Sequence, residues 1–511
     1  MPRTAISPVD KIAFWQTLLS KPGFAGISLE ALRRFDPTDD LMEINQVFLA
    51  PGGQLVSAAE ITSIPPEGLV IQTPGTYRLV GQTDPATDAN VLSWNPANQA
   101  SAAITITCPN VVLDLGNCEL RATVGDTSQS IAGIVVAPLP LSEALQNVTI
   151  RNGMLVNMCL YGISASWTNG LNIDNVVVSG LTYTNLSVRN ACPAGIYVSD
   201  CANVVVNQCV VQYACVTADS SAGIQMLMCS TVQATECRVH NLVNYDGSGQ
   251  GYSCMFCSNV TVSGCSAENI QTHFNGNIQA AGHTAIGYLP MFSGNLTYEG
   301  CSASKITGCS DDAHGMSLFQ SWGVTVENFT ATEITDGVTP SNTGAKATGL
   351  EVTSSLVTVS NSTVRKIRAI HPQDRQSAGF STCGAAVTFE NCTAEDVVVC
   401  NGRGESDPGL GNGTGFGWAP DPRAIFRNGL SLDVQYVSCT ARRCQVGFDT
   451  WNHVNSTWTN PSFDQCGTNI LVQTTPPNNT RALAGNPESE CNPPIVVTVT
   501  NQATGNIYPP H

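Results

Sequence analysis

Apolar and polar residues alternate strictly in short stretches along much of this chain. The pattern runs from Asn259 to Ser263 and from Gly323 to Glu327, and Asn203 to Asn207 is a variant of it with valine at the middle position as well. A period of two marks a β-strand with one face buried. Many such stretches follow a glycine that precedes an apolar residue, as at Gly133-Ile134, Gly162-Ile163, Gly195-Ile196, Gly223-Ile224, Gly251-Tyr252, Gly287-Tyr288, Gly315-Met316, Gly349-Leu350 and Gly379-Phe380. These pairs recur every 28 to 36 residues. A repeat of this length, with several short strands and no intervening helix, predicts a parallel β-solenoid whose coils stack about 4.8 Å apart.

Cysteine tests that expectation independently. Cys201, Cys229 and Cys257 each lie six residues after a repeat glycine, and Cys209, Cys237, Cys265 and Cys301 each lie fourteen after one. Phe329 takes the second offset in the next repeat, which marks the column as apolar and inward. Equal offsets predict thiol ladders inside the coil, where free Cys behaves as a small buried hydrophobe. Parallel side-chain directions disfavour disulfide geometry between stacked thiols. The Cys254–Cys257 pair has no second pair at zinc spacing, so no metal site is expected.

Composition agrees. Only 12% of residues are charged, while Gly, Asn, Thr and Ser supply turn chemistry. Repeated Asn-x-Ser/Thr triplets, at Asn147, Asn185, Asn259, Asn295, Asn328 and Asn455, read as turns rather than glycosylation sites. A formal net charge of −17 disfavours nucleic acid and anionic membranes as partners. No apolar window is long enough to span a bilayer, and the first residues lack the apolar core of a classical signal peptide. The location expected is cytoplasmic at synthesis, with a virion or non-classical surface destination left open.

Helical periodicity is confined to the start. Ser7 and Pro8 cap a helix carrying Ile12, Trp15 and Leu19 on one face, and a second short helix is expected from Ser28 to Phe35. A terminal coil exposes strand edges, so these helices are expected to cover it. The organisation expected is a helical cap and lead-in over 1–67, a coil over 68–472 with a long Gly-rich loop at about 400–428, and a C-terminal cap or tail over 473–511.

The entry segments Thr73 to Leu79, Ala103 to Thr107 and Asn110 to Leu115, with the repeats that follow, resemble the right-handed parallel β-helix repeat proteins of the pectate-lyase-like superfamily. The resemblance covers roughly Gly68 to Val472. It implies an all-β chain wound as one right-handed parallel β-helix with a short α-helical N-terminal cap. That superfamily holds polysaccharide lyases, polygalacturonases, alginate epimerases, viral tailspikes and non-catalytic surface proteins, so it implies a fold and not one reaction.

A filled coil leaves only its outer faces for chemistry. The turns ahead of the repeat glycines carry a mixed charged stripe, from which Asp311, Asp312, His314, His283, Lys346 and Arg375 are the candidate catalytic residues. Carboxylates beside histidine can divide acid and base roles, as glycosidic-bond chemistry requires. Lys346 and Arg375 could stabilise a substrate carboxylate or a developing enolate. Tyr245, Asp246, Trp418, Arg423 and Arg427 are the candidate substrate-binding residues. Polygalacturonases of the superfamily carry a paired-aspartate motif and a Gly-His-Gly motif on different coils; Ser310 to Gly315 looks like fragments of both in one turn, a departure that would not reproduce their geometry. The carboxylate set of the pectate lyases' calcium site has no counterpart, and no cofactor is expected.

The reading that follows is a carbohydrate-active protein, a polysaccharide lyase, C5 epimerase or glycoside hydrolase, acting on a glycan in an outer-face groove. Its rival is a non-catalytic structural or binding protein of a virion or surface assembly, for which a homotrimer is compatible with the fold. A small-molecule cyclase or isomerase on the same scaffold is the third reading.

Overall fold

The computed structural model describes residues 54–55, 496–500, 507–508 and 59–471, the last apart from 98–99, 125–126, 128–129, 139–143, 185–191, 274–283, 309–311, 337–345, 354, 371–374, 384, 401–410, 418–432 and 450–454. Among the described residues every regular element is a strand. The expected N-terminal helices, Asp10 to Lys21 and Ser28 to Phe35, lie outside the described residues. The chain forms two compact units, divided after Leu296.

In the first unit one coil runs through three strands, Ala194–Ser199, Ala202–Asn207 and Val210–Val216. The next coil repeats them as Ser220–Leu227, Ser230–Thr235 and Arg238–Asn244, and the one after as Ser248–Met255, Ser258–Ser263 and Ser266–Thr272. All of these pair in parallel with their counterparts. Ile196 lies beside Ile224 and then Tyr252, Val204 beside Val232 and then Val260, and Val211 beside Val239 and then Ala267. This is a parallel β-helix. The second unit is built likewise, with Ala313–Phe319, Lys346–Thr353, Arg375–Cys383 and Gly411–Gly417 pairing in that order to form one of its sheets.

Corners explain the abundance of asparagine. Asn203, Thr231, Asn259 and Asn295 occupy equivalent turns with φ of 52, 55, 54 and 54°, the left-handed region that asparagine tolerates better than most residues. Their side chains also stack: Asn203 Nδ2 donates to Asn169 Oδ1 at 2.7 Å and Asn295 Nδ2 to Asn259 Oδ1 at 3.2 Å. Asn147, Asn259, Asn295 and Asn328 of the Asn-x-Ser/Thr triplets all have positive φ, as the turn reading expects.

Inside, the thiol ladders are present. Cys209, Cys237 and Cys265 are buried and follow the register partners Asn207, Thr235 and Ser263 by two residues each. Every described cysteine is a free thiol. Burial pushes the Cys192 thiol up to about 12, so that thiol stays protonated and inert. Aromatic rungs continue the same logic in the second unit, where Phe380 stacks on Phe416 at 4.9 Å and Phe416 on Phe448 at 4.7 Å.

The repeat glycine has a steric cause. A Cβ at Gly223 would lie 2.3 Å from Val239 Cγ1 and 2.8 Å from the Gly251 carbonyl, so any side chain there would strike the core of its own coil. Within the stretch expected as a loop at 400–428, Gly411–Gly417 is a strand paired with Arg375–Cys383. Its Gly415-Phe416 pair is another copy of the repeat opening. Beyond 472, Val496–Thr500 pairs in parallel with Asn455–Thr459, and Ile507–Tyr508 with Thr468–Leu471.

Candidate functional site

In the second unit the strands Ala313–Phe319 and Lys346–Thr353 are buried on both faces. Met316, Leu318, Leu350 and Val352 fill the interior. The register step at each glycine then places His314, Ser317, Thr348 and Glu351 together on the opposite, outer face, with His314 beside Thr348 and Ser317 beside Glu351. Polar residues there are a departure from ordinary strand economy, because buried polar atoms need partners.

Four ionisable side chains converge on that face. Glu351, fully buried, accepts hydrogen bonds from the Lys346 ammonium and from Ser317 Oγ, the latter at 3.0 Å. Asp312 immediately precedes the first of these strands. Its Oδ1 accepts from the Lys346 backbone N–H at 3.1 Å, and its Oδ2 lies 3.9 Å from Lys346 Nζ. His314 stands between the two carboxylates, its Nε2 3.6 Å from Asp312 Oδ2 and its Nδ1 3.7 Å from Glu351 Oε2. Those separations exceed hydrogen-bond length, and neither ring nitrogen has a hydrogen-bond partner although the side chain is only 1% exposed. Thr348 Oγ1, on the next rung, is buried and unpartnered too.

Such a group can move protons. A neutral imidazole offers one donor and one acceptor, and here each ring nitrogen faces a carboxylate. Lys346 bridges both carboxylates and offsets one of their two charges, leaving the cluster at −1 when the imidazole is neutral. Asp312, with a side chain 14% exposed, is its least buried member.

Of the six candidate catalytic residues, the fold brings together Asp312, His314 and Lys346. Arg375 opens the neighbouring strand Arg375–Cys383, where its backbone pairs with Gly411. Asp311 and His283 lie outside the described residues, as do Trp418, Arg423 and Arg427. Tyr245 and Asp246 belong to the first unit, in the turn before Ser248–Met255; there Tyr245 is 40% exposed and stacks on His273 at 5.3 Å. Glu351 and Ser317 were missed. Their signal was available: a charge inside the apolar run from Leu350 to Val352, two residues after a repeat glycine, breaks the pattern of a strand buried on both faces. Among the described residues no group of three or more His, Cys, Asp or Glu is arranged to hold a metal ion.

No protein-family model and no curated protein matches this sequence. Solved structures do. The catalytic unit of a thermostable GH87 alpha-1,3-glucanase from Streptomyces thermodiastaticus is 12% identical with a TM-score of 0.41, over 88% of this chain and 69% of that one. The catalytic domain of a GH87 alpha-1,3-glucanase variant in complex with nigerose is 11% identical with a TM-score of 0.31, over 84% of this chain; this chain spans only 64% of that structure's length. The periplasmic alginate epimerase AlgG is 9% identical with a TM-score of 0.36, over 75% of this chain and 78% of that one. With TM-scores this low, the fold stands on the rung-by-rung register described above.

Proposed function

We propose that this protein is a carbohydrate-active β-helix protein that hydrolyses a neutral glycan, with Asp312, His314, Lys346 and Glu351 as its acid–base machinery. One observation carries the reading: His314 is buried on the outer face of the sheet between two carboxylates, with no hydrogen bond at either ring nitrogen. Leaving a buried polar group unmade costs about 1–3 kcal/mol, which a fold retains where the group has work to do. In the reaction, protonated His314 would give a proton to the departing glycosidic oxygen as the bond from the anomeric carbon to that oxygen breaks. Glu351 would take a proton from the attacking water, whose oxygen forms the new bond to the anomeric carbon. Ser317 and Lys346 orient Glu351, and Asp312 lies 3.6 Å from His314 Nε2 on the other side of the ring. A neutral substrate fits best, because Lys346 is already engaged by two carboxylates and has little charge left for a uronate.

The test is release of reducing ends from a panel of neutral polysaccharides, run beside an ultraviolet assay for unsaturated products from polyuronates. Reducing ends are expected, with a loss of roughly 100-fold or more in His314→Ala. Unsaturated product would instead make the protein a lyase. Full activity in His314→Ala would remove the quartet from the chemistry. The non-catalytic reading draws on the burial and internal bonding of the same cluster; silence in both assays, together with a stable homotrimer, is the result that would establish it.

A further inference from the structure

The first unit has its own buried polar patch, with a different chemistry. On the outer face of the sheet formed by Ala194–Ser199, Ser220–Leu227 and Ser248–Met255, Tyr197 lies beside Gln225 and Gln225 beside Ser253. Gln250 lies on the same face next to Ala222. Gln225, Gln250 and Ser253 are 2, 7 and 0% exposed. Gln225 Oε1, Gln250 Oε1 and Ser253 Oγ nevertheless have no hydrogen-bond partner. The opposite end of the Gln250 amide is fixed, since its Nε2 donates to Ser220 Oγ at 3.2 Å, and this leaves the carbonyl oxygen as the free end. Tyr161 and Tyr197 stack at 4.9 Å on adjoining rungs and give the patch an aromatic border.

None of these three strands carries a charged residue. Three unpaired polar atoms clustered on adjacent rungs represent a desolvation cost with no return inside the protein. A ligand with hydroxyl groups would supply the missing partners. An apolar ligand would leave the acceptors unmet, and an anion would face carbonyl oxygens with no cation on the three strands.

We propose that this patch is a binding subsite for a neutral, hydroxyl-rich ligand, namely a sugar ring of a glycan. Gln225 Oε1 and Gln250 Oε1 accept ligand hydroxyls, Ser253 Oγ exchanges a hydrogen bond with a third, and Tyr197, beside Gln225, borders the ring on its apolar side. The subsite shares no residue with the acid–base quartet and stands whether or not that quartet is catalytic.

Calorimetric titration of the full chain with α-1,3-, β-1,3- and β-1,4-linked gluco-oligosaccharides and manno-oligosaccharides tests it, with oligogalacturonate as the charged control. Binding of at least one neutral oligosaccharide is expected, weakened roughly tenfold or more by Gln225→Leu and measurably by the near-isosteric Ser253→Ala. Should Gln225→Leu fail to fold, Ser253→Ala alone carries the comparison. No binding of any neutral member, binding of oligogalacturonate only, or unchanged affinity in a folded Ser253→Ala would each overturn the subsite. Reducing-end release followed on the same samples separates the two readings: binding without hydrolysis removes the catalytic one, and hydrolysis without neutral-sugar binding removes this one.

Discussion

At the scale of single residues, the quartet shows how much depends on pairing. Lys346 and Glu351 are nearly or fully withdrawn from water, and each is held there by the other. Taking charges out of water is costly, and only a close partner with further hydrogen bonds makes it tolerable. Glu351→Ala would remove the closest partner of the Lys346 ammonium, leaving Asp312 Oδ2 at 3.9 Å, and is expected to cost up to about 3–5 kcal/mol in guanidinium denaturation. Replacing both residues, as Lys346→Met with Glu351→Leu, is expected to recover most of that loss, because neither side chain is then a charge without a partner. A single substitution costing under about 1 kcal/mol would mean that water reaches the ammonium and that the cluster is less enclosed than its geometry indicates. The sequence offered Asp312, His314 and Lys346 because they flank repeat glycines, where turns were expected. Glu351 is not legible in that way, because it sits inside a strand, where alternation marks the core and a residue that violates it carries no turn signal.

At the scale of elements, the repeat was legible because two constraints act at fixed offsets: glycine where backbone and core meet, and small apolar thiols where successive coils stack. Gly223 illustrates the first. Gly223→Ala is expected to destabilise by about 1–3 kcal/mol through overpacking against Val239. Adding Val239→Ala opens the space the new methyl needs and should return part of the loss, a coupling that thermal melts of the two single variants and the double variant would reveal. Additive losses would show that the carbonyl of Gly251, not the valine, sets the constraint. Corner positions were less legible, since the left-handed turn accepts Asn203, Thr231, Met228 and Phe256 alike, and no residue type announces it. The strand Gly411–Gly417 was hidden for the opposite reason. Its surroundings are so rich in glycine that the one pair with packing consequences, Gly415-Phe416, looked like loop; only the stacking of Phe416 between Phe380 and Phe448 distinguishes it.

At the scale of the whole molecule, the parallel strand pairings of the described coils join residues about one repeat apart in sequence, as Ile196 with Ile224 or Leu350 with Phe380, and the short antiparallel pairing of Gln82–Thr83 with Asn90–Trp94 stands apart from them. No short hairpin can nucleate a coil of this kind; each rung must close a loop of some thirty residues before its neighbour can add to it, so folding is expected to be slow and its intermediates exposed. The chain carries 21 cysteines, and the described core thiols are withdrawn from solvent only once the rungs are stacked. In the unfolded chain the same thiols revert to an ordinary pKa near 8.5 and become nucleophiles and oxidation targets. Refolding from guanidinium in the presence of a thiol reductant should therefore recover far more native protein than refolding in air, with the shortfall appearing as disulfide-linked species on non-reducing gels. Native protein kept in air for the same time should lose little, because its ladders are closed to oxidant. Equal recovery with and without reductant would mean that the ladders close faster than thiols oxidise, and hence that local stacking of a few rungs, rather than slow long-range closure, governs how this coil forms.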